Sequence, residues 1–221
     1  MFDKISPQAL FPSTIWIHDV KPEVAEPLNA RLIDELDRLL AAKPARAPGE
    51  TWQTEAALHE RPAFKELADI MRAAAKGVLD RLDIQYGPFE ITGCWASINP
   101  KGGIHPAHNH PNNYLSGVYY LQIPDGANAI QFHDPRPQGM MIWPRVKNYN
   151  QYNSIVANVR VRAGQLIVFP SWLVHSVLAN PSEALRISIS FNIMFSDYVE
   201  NIARPKWDGI PLPQSEDAPG A

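Results

Sequence analysis

The sequence predicts a mainly β chain with flanking helices (α+β), built as a β-sandwich or a double-sheet barrel such as a jelly roll. Three observations carry this expectation. Before residue 83, two stretches repeat apolar residues every three or four positions, the period of a helix with one buried face. From Ile84 onward the chain changes to short β-branched and aromatic runs, separated by Pro, Gly, Asn and Asp. A length of 221 residues with 45% hydrophobic and 19% charged content suits one buried core and argues against a disordered or coiled-coil chain.

Taken in order, Leu10 to Val20 reads as a short strand or extended segment with Phe11, Ile15, Trp16 and Ile17. Pro27 to Leu40 carries Leu28, Leu32, Ile33, Leu36, Leu39 and Leu40 on one stripe, an amphipathic helix. Pro44 to Glu50 is a loop of small and breaking residues. A second helix fits Arg61 to Leu82, with Pro62 near its first turn. Strands are expected near Phe89–Ile98, Leu115–Ile123, Ala129–Phe132, Val156–Val161, Leu166–Phe169, Val174–Leu178 and Leu185–Met194. The expected organisation is one domain over 1–204, helical at about 22–82, followed by a Pro-rich polar tail at 205–221.

Composition narrows the chemistry. Twenty Lys and Arg against 23 Asp and Glu leave no basic footprint for a nucleic acid. The apolar runs, such as Leu166 to Phe169, are far short of the ~20 residues of a membrane span, so no membrane is expected as a partner. No signal-peptide pattern opens the chain, and the cytoplasm is the expected compartment. One cysteine excludes a disulfide framework, a thiolate zinc site and an iron–sulfur cluster. Any metal must rest on nitrogen and oxygen.

Three of the seven histidines fall in GGIHPAHNHPNN: His105, His108 and His110. His108 and His110 are two apart, so in an extended chain they point to one side and can share a metal ion. A His-rich solvated loop is the other reading. A third ligand would have to come from elsewhere, and His175 is the candidate, at the end of the apolar run AGQLIVFPSWLVH. It can equally be a histidine satisfied within the core. Further on, RISISF places Arg186, Ser188 and Ser190 on one strand face and Ile187, Ile189 and Phe191 on the other. Pointing inward, Arg186 needs an anion; a carboxylate held bidentately, with help from Ser188, would satisfy it. Pointing outward, the same face is simply solvated.

The quoted motifs carry a family resemblance. LFPSTIW at 10–16, WASIN at 95–99, HNHPNNYLSGVYYL at 108–121, FHDPR at 132–136, GQLIVFPSWLVHSV at 164–177 and RISISFNI at 186–193 resemble the iron(II)/2-oxoglutarate-dependent oxygenases of the prolyl-hydroxylase-like group. More closely, they resemble a bacterial subfamily with an HxH metal motif. The resemblance implies a double-stranded β-helix, the cupin-like jelly roll, with the N-terminal helices packed on one sheet. It implies Fe(II), the co-substrate 2-oxoglutarate and O2. His108, His110 and His175 match the metal ligands, and Arg186, Ser188 and Tyr120 match the grip on 2-oxoglutarate. His110 stands where most of the superfamily has Asp or Glu. His105, Asn99, Asp134, Arg136, Trp95, Trp172 and Asn192 are candidates for substrate contact or for supporting the ligands. Trp95, Phe132, Trp172 and Phe191 are the expected apolar lining.

The expected activity is that of a dioxygenase hydroxylating a C–H bond of a small molecule or peptide, with release of succinate and CO2. Two alternatives accompany it. A three-His cupin-type dioxygenase or hydrolase would dispense with 2-oxoglutarate, and a non-catalytic jelly roll would only bind a metal or ligand. Substrate choice is expected in the Met-, Trp- and Tyr-containing loop from Asp134 to Asn153, whose apolar surface would favour a homodimer.

Overall fold

A computed structural model of the chain describes residues 1–41, 47–136, 138, 141–142 and 144–199. Part of the loop expected at Pro44–Glu50, four positions of the Asp134–Asn153 loop and the expected tail at 205–221 lie outside the described residues. Strand β1 is Trp16–Asp19 and helix α1 is Pro22–Ala41. The helix begins five residues before the sequence expectation. Pro22 suits a first helical position, and Pro27 lies inside the helix, where it removes one backbone bond.

Strand β2 is Trp52–Gln53, and helix α2 is Lys65–Arg81. The residues expected to begin α2 instead form a 3-10 turn, Pro62–Phe64, which follows another at Leu58–Glu60. Arg61, preceding Pro62, is extended at ψ 134°, as the proline ring dictates.

The remaining strands are β3 (Phe89–Asn99), β4 (His105–His108), β5 (Leu115–Gln122), β6 (Ala129–His133), β7 (Val156–Arg160), β8 (Gln165–Pro170), β9 (His175–Val177) and β10 (Arg186–Phe195). A four-residue helix, α3, covers Ser196–Val199. They form two antiparallel sheets, ordered β1-β8-β5-β10-β3-β2 and β4-β9-β6-β7. This is the expected jelly roll with its helices on one sheet.

Alternation along the strands sorts the core. Ile187, Ile189, Phe191 and Ile193 of β10 join Leu28, Leu32, Leu36, Leu67, Met71 and Leu79 in the core beneath the helices. A second cluster, with Val118, Tyr120, Phe132, Ile167 and Phe169, fills the space between the sheets. Phe191 is therefore helix-side core, which corrects its expected place in the site lining. At Gly117 of β5 a side chain would strike the ring of Phe191 across the strand pair and come 2.9 Å from the Ile167 carbonyl oxygen. Glycine here lets the central strands close.

Two strands were not foreseen. Segment β4 contains Pro106 and reads as irregular, yet it is tolerated because β4 is an edge strand with a register shift between His105 and His108. Among the described residues, no helix is long and apolar enough to cross a membrane.

Candidate metal centre

His108 and His175 are opposite each other in the β4–β9 pair, and the β4 extension brings in His110, whose backbone N–H is held by the Ser171 carbonyl at 2.9 Å. The ligand-capable nitrogens of His108, His110 and His175 all lie within 4.8 Å of one another. Ring centroids are 5.1 Å apart for His108 and His110, 4.4 Å for His108 and His175, and 5.1 Å for His110 and His175. The expected HxH pair and remote histidine thus come together.

Each ring is anchored on the same side. His108 Nδ1 lies 2.8 Å from the Pro106 carbonyl, His175 Nδ1 3.0 Å from the Leu173 carbonyl, and His110 Nδ1 2.6 Å from Asn192 Oδ1. Three oxygen acceptors require a proton on each Nδ1. That choice of tautomer leaves each Nε2 with a free lone pair, the state a metal needs. Burial pushes His110 down to about 4 and His175 down to about 3, so both rings are neutral at pH 7. Three imidazole nitrogens brought together by β4, its extension and β9 fit a divalent transition metal and leave the rest of its sphere open.

Arg186 is the other half of the site. It is 1% exposed, on the face of β10 turned towards the small sheet. Its Nε donates to the Ala127 carbonyl at 3.2 Å and its Nη1 to Ser188 Oγ at 3.3 Å, and it lies 5.4 Å from the centre of the Tyr120 ring. Among the described residues no carboxylate pairs with it. The Tyr120 hydroxyl is fully buried without a hydrogen-bond partner, and burial pushes that phenol up to about 12. A guanidinium stays charged in proteins, so this buried cation and the phenol beside it call for an anion.

The other expected residues divide. Asn192 is in the centre, bonded to His110 and accepting from Ser116 Oγ at 2.7 Å. Half-buried Trp95 lies 5.5 Å from the His110 ring, and Phe132 and Phe169 flank His175 at 6.2 and 4.8 Å, giving that side an aromatic wall. His105 is 6.5 Å from His108 and outside the triad. Asn99 is the strand partner of Arg186. Asp134 and Arg136 bind each other, at 2.7 Å for Nη2 and Oδ2, and contact none of the three histidines. Trp172 is 52% exposed, so it sits at the surface and not in the dry lining expected for it. Sequence reasoning missed Ser116, which lies 3.0 Å from His110 Nδ1, and the Ala127 carbonyl on Arg186. Both depend on strand register, for which no sequence signal exists.

A nitrogen triad with free coordination positions, in a two-sheet fold that also buries an unmatched cation, is the arrangement expected of a mononuclear non-haem iron oxygenase. Residues 93–192 match the family described as "Putative 2OG-Fe(II) oxygenase". That match spans the strand core of the chain, and the cofactors of that family are Fe(II), 2-oxoglutarate and O2.

The fold is shared with HygX from Streptomyces hygroscopicus, crystallised with nickel and 2-oxoglutarate, at 14% identity over 83% of each chain and a TM-score of 0.60. SnoN, a non-heme alpha ketoglutarate dependent epimerase from nogalamycin biosynthesis, is 17% identical over 92% of each chain, with a TM-score of 0.60. A Pseudomonas putida prolyl-4-hydroxylase is 18% identical over 82% of this chain and 92% of its own, with a TM-score of 0.56. At these identities the likeness is one of fold. No curated protein sequence matches the chain significantly.

Proposed function

We propose that the protein is an Fe(II)- and 2-oxoglutarate-dependent dioxygenase that hydroxylates a C–H bond of a small molecule or peptide, with release of succinate and CO2. The observation that carries this reading is Arg186, a buried cation with no acidic partner among the described residues, beside an unpartnered Tyr120 hydroxyl. His108, His110 and His175 would hold the metal through Nε2. Arg186, Ser188 and Tyr120 would take the distal carboxylate of 2-oxoglutarate, a bidentate partner suited to a planar guanidinium. When bound, iron and 2-oxoglutarate supply the activation of O2 and the oxidising power.

The chain's own groups orient and exclude water. Pro106, Leu173 and Asn192 fix the three ring planes, and Ser188 steadies the guanidinium. Trp95, Phe132 and Phe169 keep the metal side apolar. A third histidine in place of a carboxylate leaves the metal's full positive charge for anionic co-substrate to balance.

That same neutral triad favours one second reading, a three-His oxygenase in which Arg186 holds the substrate's own carboxylate. Incubation of the full chain with Fe(II), ascorbate and 2-oxoglutarate in air separates the two. Succinate should form, and Arg186→Ala should suppress it. O2 uptake with a carboxylated substrate and no need for 2-oxoglutarate would replace the first reading by the second.

A further inference from the structure

Beyond the expected clasp, the co-substrate end of the cavity has a second wall. The turn from β3 to β4 leads from Asn99, the strand partner of Arg186, to His105. It is clamped from three sides. Asn99 Nδ2 donates to Thr51 Oγ1 at 3.1 Å, and Thr51 Oγ1 donates to the Ile104 carbonyl at 3.1 Å. Asn180 exchanges backbone bonds with Gly102 and Gly103 at 2.8 and 3.1 Å, and its side chain donates to the Asn99 carbonyl at 3.0 Å. At Gly103 a side chain would approach Thr51 Oγ1 to 2.9 Å and the Pro100 carbonyl to 3.0 Å. So many bonds on one short turn fix the place of the residue that follows it.

That residue is His105, and its Nε2 is buried with no hydrogen-bond partner. Two further buried polar atoms lack partners in the same region: Tyr120 Oη and Asn99 Oδ1. His105 Nε2 and Tyr120 Oη thus lack partners, and the Arg186 guanidinium, bonded only to the Ala127 carbonyl and Ser188 Oγ, lacks an acidic one. A buried donor left unmatched costs free energy, and one dicarboxylate can match several at once. Burial and the positive field of Arg186 push His105 down to about 4, so at pH 7 it meets a ligand as a neutral ring.

Resting on the oxygenase reading above, we propose that His105 binds 2-oxoglutarate, donating Nε2–H to a carboxylate of the co-substrate from the wall opposite Ser188 and Tyr120. His105 is then neither a metal ligand nor a contact of the primary substrate. It gives this site one donor more than the Arg186, Ser188 and Tyr120 set.

The test uses the full chain loaded with Mn(II), titrated with 2-oxoglutarate. The dissociation constants of Mn(II) and of 2-oxoglutarate are read separately, with the melting temperature alongside. His105→Ala should weaken 2-oxoglutarate by about tenfold or more, the worth of one hydrogen bond to a charged group. Mn(II) affinity and melting temperature should stay unchanged, and His105→Gln, which keeps a donor, should recover most of the loss. Unchanged 2-oxoglutarate affinity in His105→Ala overturns the proposal. So does a parallel loss of Mn(II), which would make His105 a ligand. So does a melting loss that His105→Gln does not repair. If the unaltered protein binds Mn(II) but no 2-oxoglutarate, the oxygenase reading itself fails.

Discussion

His110 and Asn192 are joined at 2.6 Å between Nδ1 and Oδ1, and Ser116 closes the triangle from the neighbouring strand. The contact exists because Asn192 and Ser116 are register partners in the β10–β5 pair. It holds the one ring that stands where a carboxylate is usual, and it points the lone pair of that ring at the other two. Asn192→Ala should weaken metal binding by about ten- to a hundredfold, with the fold intact. Competition titration against a chelator measures it; Asn192→Asp, which keeps the acceptor, should not show the loss.

Arg186 gives a prediction with two signs. Buried without an acidic partner, it costs the empty protein the desolvation of a charge, so Arg186→Met should leave the melting temperature of the ligand-free protein equal or higher. The same change should abolish the stabilisation that 2-oxoglutarate gives to the metal-loaded protein. Thermal melts with and without 2-oxoglutarate read both. A large loss of stability in the ligand-free variant would contradict the claim that this cation awaits an anion.

Three buried acids predict the alkaline behaviour. Burial pushes Cys94, Tyr119 and Tyr120 each up to about 12. In the unfolded chain these groups release protons at their ordinary, lower values, while the fold keeps them protonated. Their contribution to stability is therefore complete below those ordinary values and is lost as pH rises towards 12. Melting temperature should fall over that range, and Cys94 should resist thiol reagents at pH 9.0, its ordinary value, until the protein unfolds.

Gly117→Ala tests the packing between the central strands. The new methyl would meet the Phe191 ring and the Ile167 carbonyl oxygen. A cost of about 1–3 kcal/mol is expected for an overpacked core, read as a lower urea midpoint.

Much of this was legible in the sequence. Leu28, Leu32 and Leu36 announce a helix because burial follows a 3.6-residue period, and Ile187, Ile189 and Phe191 announce a strand because it follows a period of two. His108, His110 and Arg186 were visible because metal and anion chemistry needs those residue types at alternating positions. What stayed hidden depends on pairing between distant segments. Ser116 meets His110 only through β5–β10 register, and Pro106 disguised β4 as a loop. Arg136, a candidate substrate contact by its place in DPR, is taken up by its bonds to Asp134.

The central claim is that the three histidines and Arg186 hold Fe(II) and 2-oxoglutarate together. Its most direct measurement is an anaerobic titration of the full chain with Fe(II) and 2-oxoglutarate, followed by visible absorption. A charge-transfer band that needs both additions, saturates at one equivalent of iron, and is lost in His175→Ala is the predicted result. Absence of the band in protein that is folded and binds neither iron nor 2-oxoglutarate would contradict the account.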